Sequence, residues 1–350
     1  MLSSLETMQR EQAEQLARLE DKSQSLLALA ETMQREQAQQ LARLEGNSKR
    51  LSAFASTPVI ADLEIEKLGE VRLKALKYSL ITSPELDTLG KYRCPREITL
   101  PYPQYKDRLR TVQFHPWQWF LNVSQLCACA DAKGLPRVKQ FLDQRLAEIN
   151  HFTVSFGPAL FFTYPFDYPT RVAGGRVFKR GWVSGLAQGA VLKAWVQLYR
   201  LTNDPKHLDL AEKTFNSFLL IRKEMGQKEP WVSFVDENQY LWFEEFPTDE
   251  DPQFRVLNGH IYALKGLYSY YLLAPNEECL KLIRAGITTV KRYFNDFRSP
   301  GRPNRYCLLG DYVADYSPAR SVADQQWLYN ITGDPFFLEA AAAFKTDMKF

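Results

Sequence analysis

Apolar positions change their spacing twice along the 350-residue chain. Over the first 45 residues they are sparse. ETMQREQAEQLARLE (6–20) returns as ETMQREQAQQLARLE (31–45), with fourteen of fifteen residues identical at an offset of 25. Met8, Leu16 and Leu19 recur as Met33, Leu41 and Leu44, a thin apolar stripe among good helix formers. The pattern predicts one long helix over 3–45, roughly 65 Å at 1.5 Å per residue. Such a helix is either a solvated spacer or a weak coiled coil, and it leaves homo-oligomerisation open. The next stretch loses this periodicity. GNSKRLSAFASTP reads as a linker, VIADLEIEKLGEVRLKAL as one short helix and a strand, and the proline-punctuated KYRCPREITLPYPQYKDR as extended chain.

From about residue 112 the apolar positions follow a helical period, broken at AKGLP, TNDP, APNEE and TGDP. Asp204 caps the helix after the second break, with Pro205 at its first position. LYRLTNDPKHLDLAEKTF (198–215) and LYNITGDPFFLEAAAAF (328–344) share Leu-Tyr, Thr-x-Asp-Pro, Leu and Ala positions, so one helical hairpin is used repeatedly. The expected fold is an all-α main domain, an α/α toroid or partial α/α barrel, with a long helical arm at its N-terminal side. Loops 230–257 and 296–320 gather at one mouth. The domains are then 1–48 (arm), 49–100 (linker and extended segment) and 101–350 (toroid).

Composition narrows the function. A net charge of +3 with both signs mixed gives no nucleic-acid footprint. No apolar run is long enough to span a membrane, and the charged, glutamine-rich start is no secretory signal. The localisation expected by default is cytoplasmic. Five cysteines in no paired framework read as reduced thiols, and the four histidines show no metal-ligand spacing. Aromatic residues reach 13% and concentrate after residue 100, which suits both a large core and a sugar-binding surface. No glycine-rich dinucleotide fingerprint is present.

The run YLWFEEFP (240–247) places Glu244 and Glu245 inside an aromatic stretch. Either the acids face solvent while the rings pack, or they line an aromatic site. GWVSGLAQG (181–189), WFEEFP followed by VLNGHIYALKGLY (256–268), and DQQWLYNITGDP near the end occur in one order. Together they resemble the C-terminal catalytic domain of the D-glucuronyl C5-epimerase family. The resemblance implies an isomerase of heparan-type polysaccharide synthesis. It inverts C5 of glucuronate to give iduronate by cofactor-free proton transfer, with an acidic polysaccharide as partner. It also implies Tyr306 as a proton-transfer phenol, Glu245 as the retained acid, Tyr316 (after a two-residue shift) as a second phenol, and Asn258 as a substrate contact. The family's tyrosine after the paired acids is Phe246 here, and an arginine near the first phenol is Leu309.

Other candidates come from the residues themselves. Arg255 and Arg320 are local cations for an acidic sugar, with Tyr312 an alternative second phenol. Trp242, placed with Phe246 as an apolar wall, joins Tyr240, Trp182 and Gln188 as substrate-binding candidates. Asn258 serves equally as a cap for a helix starting at His260, and Trp182 and Gln188 equally as packing residues. Two further readings stand beside the epimerase. One is a polysaccharide lyase, which shares the first proton abstraction. The other is a carbohydrate-binding or scaffold protein that kept the fold without the chemistry.

Overall fold

The computed structural model describes residues 63–87, 94 and 115–348, apart from 171, 173, 174, 225, 315 and 317. The helical arm expected over 3–45 lies outside the described residues. The described residues form one compact unit. Four helical hairpins build it: α1 (Pro116–Ala128) with α2 (Leu135–Ile149), α3 (Gly185–Thr202) with α4 (Pro205–Leu219), α5 (Leu257–Leu273) with α6 (Glu277–Phe297), and α7 (Pro318–Thr332) with α8 (Pro335–Asp347). The first helix of each hairpin packs on the first helix of the next, α1 on α3, α3 on α5 and α5 on α7. This is the inner layer of an all-α, partial α/α-toroid fold.

The hairpin turns follow from the sequence. Asp204 accepts from Lys206 N at 3.0 Å with Pro205 behind it, and Asp334 accepts from Phe336 N at 3.0 Å with Pro335 behind it. In each turn a threonine hydroxyl two residues upstream accepts from the aspartate's own N–H. Each cap satisfies an orphan donor and is worth ~1 kcal/mol. Between α3 and α5 the backbones nearly touch. A Cβ at Gly189 would stand 2.5 Å from Ala263 Cα, and one at Gly266 would collide with the Gly189 carbonyl. Only glycine permits that approach, and it draws the inner helices together at mid-length. Trp195, Trp242, Phe243 and Tyr268 fill the core with almost no exposure.

Short antiparallel hairpins join the helical units: β3 (Thr153–Phe156) with β4 (Ala159–Phe162), β5 (Tyr168–Pro169) with β6 (Val177–Phe178), and β7 (Ser233–Val235) with β8 (Leu241–Phe243). A further hairpin precedes them. Residues 64–75, read from sequence as a short helix and a strand, form β1 (Glu64–Leu68) and β2 (Val71–Ala75) instead. Gly69, with φ of 58°, turns the hairpin. Its Leu68, Leu73 and Ala75 are buried, and Leu76 N donates to Thr288 Oγ1 at 2.9 Å. Part of the expected linker is therefore packed structure. Asp87 shows the same. Its carboxylate meets Lys193 at 2.8 Å, Arg200 at 2.6 Å and Ser269 at 2.8 Å.

The expectation of reduced thiols is corrected at two positions. Cys94 and Cys129 form a disulfide, their Cα atoms 4.7 Å apart and so within bridging reach. Cys127, Cys279 and Cys307 are free thiols. Among the described residues no helix is long and apolar enough to cross a membrane.

Candidate active site

The segments that enter the inner helices meet one another. Gly185, first residue of α3, donates its N–H to the Glu244 carbonyl at 2.8 Å. A Cβ at Gly259, in the first turn of α5, would lie 2.6 Å from the Glu245 side chain. Leu257, first residue of α5, donates to the Tyr306 carbonyl at 3.2 Å. Tyr306 Oη in turn donates to Glu245 Oε1 at 3.1 Å. Tyr316, just before α7, has its ring 6.2 Å from that of Tyr306. Arg320, in the first turn of α7, lies over the Tyr316 ring at 5.4 Å and the Tyr262 ring at 5.8 Å. Glu245, Tyr306, Tyr316 and Arg320 therefore share one site. Asn258 adjoins it on α5, buried, with its Oδ1 lacking a hydrogen-bond partner.

Adjacent acids have opposite fates. Glu244 is fully buried and accepts from Phe246 N at 3.1 Å and Arg255 N at 2.7 Å. Burial pushes its carboxyl up to about 7 against the pull of those donors. It clamps the loop that leads into α5. Glu245 points the other way, to Tyr306 and to the start of α5, where the positive end of the helix macrodipole favours an anion. β8 ends at Phe243, so the two acids lie outside the strand and its alternation does not govern which way they face.

Tyr316 differs from Tyr306 in its surroundings. Burial pushes its hydroxyl up to about 12, opposed by hydrogen bonds with Ser321 and Asn304 that tie it to the fold. Tyr312 is exposed, and its carbonyl accepts from Tyr306 N at 2.7 Å.

Several candidates lie elsewhere. Trp242 is not a wall of the site. Its indole N–H donates to Asp236 at 3.0 Å, and its ring packs on Tyr293 and Phe297 in the main core. Phe246 belongs to a separate cluster with Phe178, Phe254, Val256 and Cys307, against which Tyr306 and Leu309 pack. Tyr240 is buried edge-on to Tyr293. Gln188 is fully buried, bridging Phe162 N, the Leu160 carbonyl and Ser217. Trp182 stacks on Tyr164 and on Tyr168, with ring centroids 3.8 Å and 5.6 Å away, and its indole N–H donates to the Phe166 carbonyl at 3.1 Å, so it packs within the fold. Arg255 pairs with Glu237 at 2.7 Å, which occupies its guanidinium. Asn258 does not cap α5. The helix starts at Leu257 with Val256 at the cap position. His260 is structural: its Nδ1 accepts from Phe243 N at 2.9 Å, and burial pushes it down to about 4.

Three residues were missed. Tyr262 and Lys265 follow Asn258 at i+4 and i+7, on one face of α5. Lys265 pairs with the buried Asp324 of α7 and lies 5.0 Å from the Tyr262 ring centre. The helical spacing from Asn258 was a signal that could have found them. Among the described residues no group of three or more His, Cys, Asp or Glu is arranged to hold a metal ion.

Helical hairpins with a carboxylate–phenol pair where the inner helices begin define an all-α protein of the α/α-toroid class. The chain belongs to the family described as D-glucuronyl C5-epimerase C-terminus, which matches residues 159–346. D-glucuronyl C5-epimerase of Caenorhabditis elegans is 29% identical over 128 residues, covering 33% of this chain and 20% of that protein. An uncharacterised protein of Methanocaldococcus jannaschii is 25% identical over 197 residues, covering 56% of this chain and 60% of that one. The chain thus spans less than two-thirds of these curated relatives. Among solved structures, cellobiose 2-epimerase from Bacillus thermoamylovorans aligns with a TM-score of 0.48 at 12% identity, over 70% of this chain and 64% of that one.

Proposed function

We propose that this protein is a uronate C5-epimerase that converts glucuronate to iduronate in an acidic, heparosan-type polysaccharide, without an organic cofactor. The hydrogen bond from Tyr306 to Glu245 carries this reading, and the family match supports it. Inversion requires a proton to leave C5 from one face and another to arrive on the opposite face. In the proposed reaction Tyr306 Oη takes the C5 proton as its own proton passes to Glu245. The C–H electron pair moves into an enolate-like intermediate on the sugar carboxylate. Arg320 neutralises that carboxylate, and the unpartnered Asn258 carbonyl accepts from a sugar hydroxyl. A second phenol delivers a proton to the other face, so that one proton is lost and one gained.

Phe246 and Leu309 favour a second reading, a carbohydrate-binding protein, because a phenylalanine transfers no proton and a leucine carries no charge. Incubation with heparosan-type polymer in deuterated water separates the two. Deuterium at C5 and new iduronate signals by NMR support the epimerase. Binding of the polymer with C5 fully protiated supports the binding protein.

A further inference from the structure

We propose that Tyr262 is the second proton-transfer phenol of this site, delivering the proton to the face of C5 opposite Tyr306. The inference rests on the epimerase reading above. It answers what replaces the phenol absent at Phe246, and it assigns to α5 a role expected of the segment before α7.

Position is the first argument. Tyr262 lies one helical turn beyond Asn258 on α5. Arg320, placed over both the Tyr262 and Tyr316 rings, links it to the cluster that contains Tyr306 and Glu245. The Glu245 charge acts on the Tyr262 hydroxyl, as do those of Arg320 and Asp324. Tyr306 and Tyr262 reach the site from different elements: the loop before α7 and the body of α5. Two sources of protons on separate elements are what an inversion needs.

The hydroxyl's surroundings are the second argument. Tyr316 has its hydroxyl bound to Ser321 and Asn304, which hold it in the fold. On Tyr262 only burial and charge act, with no hydrogen bond among the described residues. Burial raises it to about 12, and the Arg320 charge opposes that rise. It is therefore protonated at neutral pH and suited to donate. The ring itself is fixed. Trp117 meets it edge-on at 4.8 Å, and Lys265 stands 5.0 Å from its centre, held by Asp324. A cation over the ring stabilises the phenolate left after donation.

The step balances. Tyr262 Oη–H transfers its proton to C5 as the enolate electron pair returns to form the new C–H bond, leaving Tyr262 as phenolate. Glu245 holds the proton gained through Tyr306. Exchange of both groups with water restores the starting state. In the reverse direction Tyr262 is the base and Tyr306 the acid.

Two bases on opposite faces make a distinctive test. Wild type, Tyr262→Phe, Tyr306→Phe and Tyr316→Phe are each incubated in deuterated water with a glucuronate polymer and, separately, an iduronate-containing polymer. Exchange at C5 is read by NMR, and circular dichroism checks the fold. Tyr262→Phe should still exchange the C5 proton of glucuronate and lose exchange from iduronate by a factor on the order of 100 or more. Tyr306→Phe should show the opposite bias, and Tyr316→Phe, whatever its overall rate, should favour neither epimer. The proposal is overturned if Tyr262→Phe exchanges both epimers like wild type. It is equally overturned if that variant is folded but loses both together, or if Tyr316→Phe shows the one-sided loss in its place. A wild type that exchanges neither epimer defeats the epimerase reading itself, a result separate from all of these.

Discussion

Tyr306 donates its phenolic hydrogen to Glu245 across 3.1 Å, although 61 residues separate them. Glu245 is held for this contact by the first turn of α5, where Gly259 leaves no side chain in its way. Gly259→Ala would place a methyl 2.6 Å from both the Cβ and Oε2 of Glu245, so the carboxylate must move, and residue 245 with it, because a Cβ cannot shift without its backbone. The better helix propensity of alanine, about 1 kcal/mol, offsets part of that cost. The expected result is a large fall in kcat together with a lower melting temperature. A matched pair of kinetic and thermal measurements checks it.

The two arginines should behave differently. Arg320 lies over two phenol rings of the site, whereas Arg255 is paired with Glu237. Arg320→Met should weaken binding of a uronate polymer by about tenfold, roughly 1.4 kcal/mol, and leave binding of a neutral polymer unchanged. Arg255→Met should leave uronate affinity within about twofold. Titration calorimetry with both polymers reads the contrast.

Gly189→Ala should destabilise the whole unit. The added carbon meets the Ala263 backbone at 2.5 Å, where neither helix has a flexible side chain to move aside. Overpacking of this kind costs about 1–3 kcal/mol or more. Urea unfolding should show a lower midpoint with an unchanged slope.

Two buried groups oppose each other in pH dependence. Glu244 sits at about 7 in the folded protein against 4.5 ordinarily. Its contribution is greatest below 4.5 and is lost as pH rises towards 7. His260 sits at about 4 against 6.5, so its contribution is present above 6.5 and is lost as pH falls towards 4. Each displacement corresponds to about 3 kcal/mol. Between pH 4.5 and 6.5 the two largely cancel. Glu244→Gln removes one of them, so that variant should lose about 3 kcal/mol on acidification from pH 7 to 4, more steeply than wild type. Chemical unfolding across that range checks the slope.

The helical hairpins were legible because their turns carry local chemistry. Thr-x-Asp-Pro supplies a cap and a first-turn proline without reference to the rest of the molecule. The β1–β2 hairpin was masked by its helix-forming Glu and Lys residues, although Val71, Leu73 and Ala75 alternate with Arg72 and Lys74 just after the turn at Gly69. The partner of Cys94 was not legible, because 35 residues separate it from Cys129. Within the site, matched segments led to Glu245, Tyr306 and Asn258. Trp242 misled, since β8 is three residues long and buried throughout, so alternation says nothing about facing. Arg255 misled because its partner, Glu237, comes from the β7–β8 turn.

The central claim is that the Tyr306–Glu245 pair moves the C5 proton. Wild type and Tyr306→Phe should be compared on a glucuronate polymer in deuterated water, with exchange at C5 followed by NMR and polymer affinity measured on the same samples. The account predicts that Tyr306→Phe binds the polymer as wild type does and loses glucuronate C5 exchange by roughly 100-fold or more. Glucuronate C5 exchange in Tyr306→Phe at the wild-type rate would contradict it.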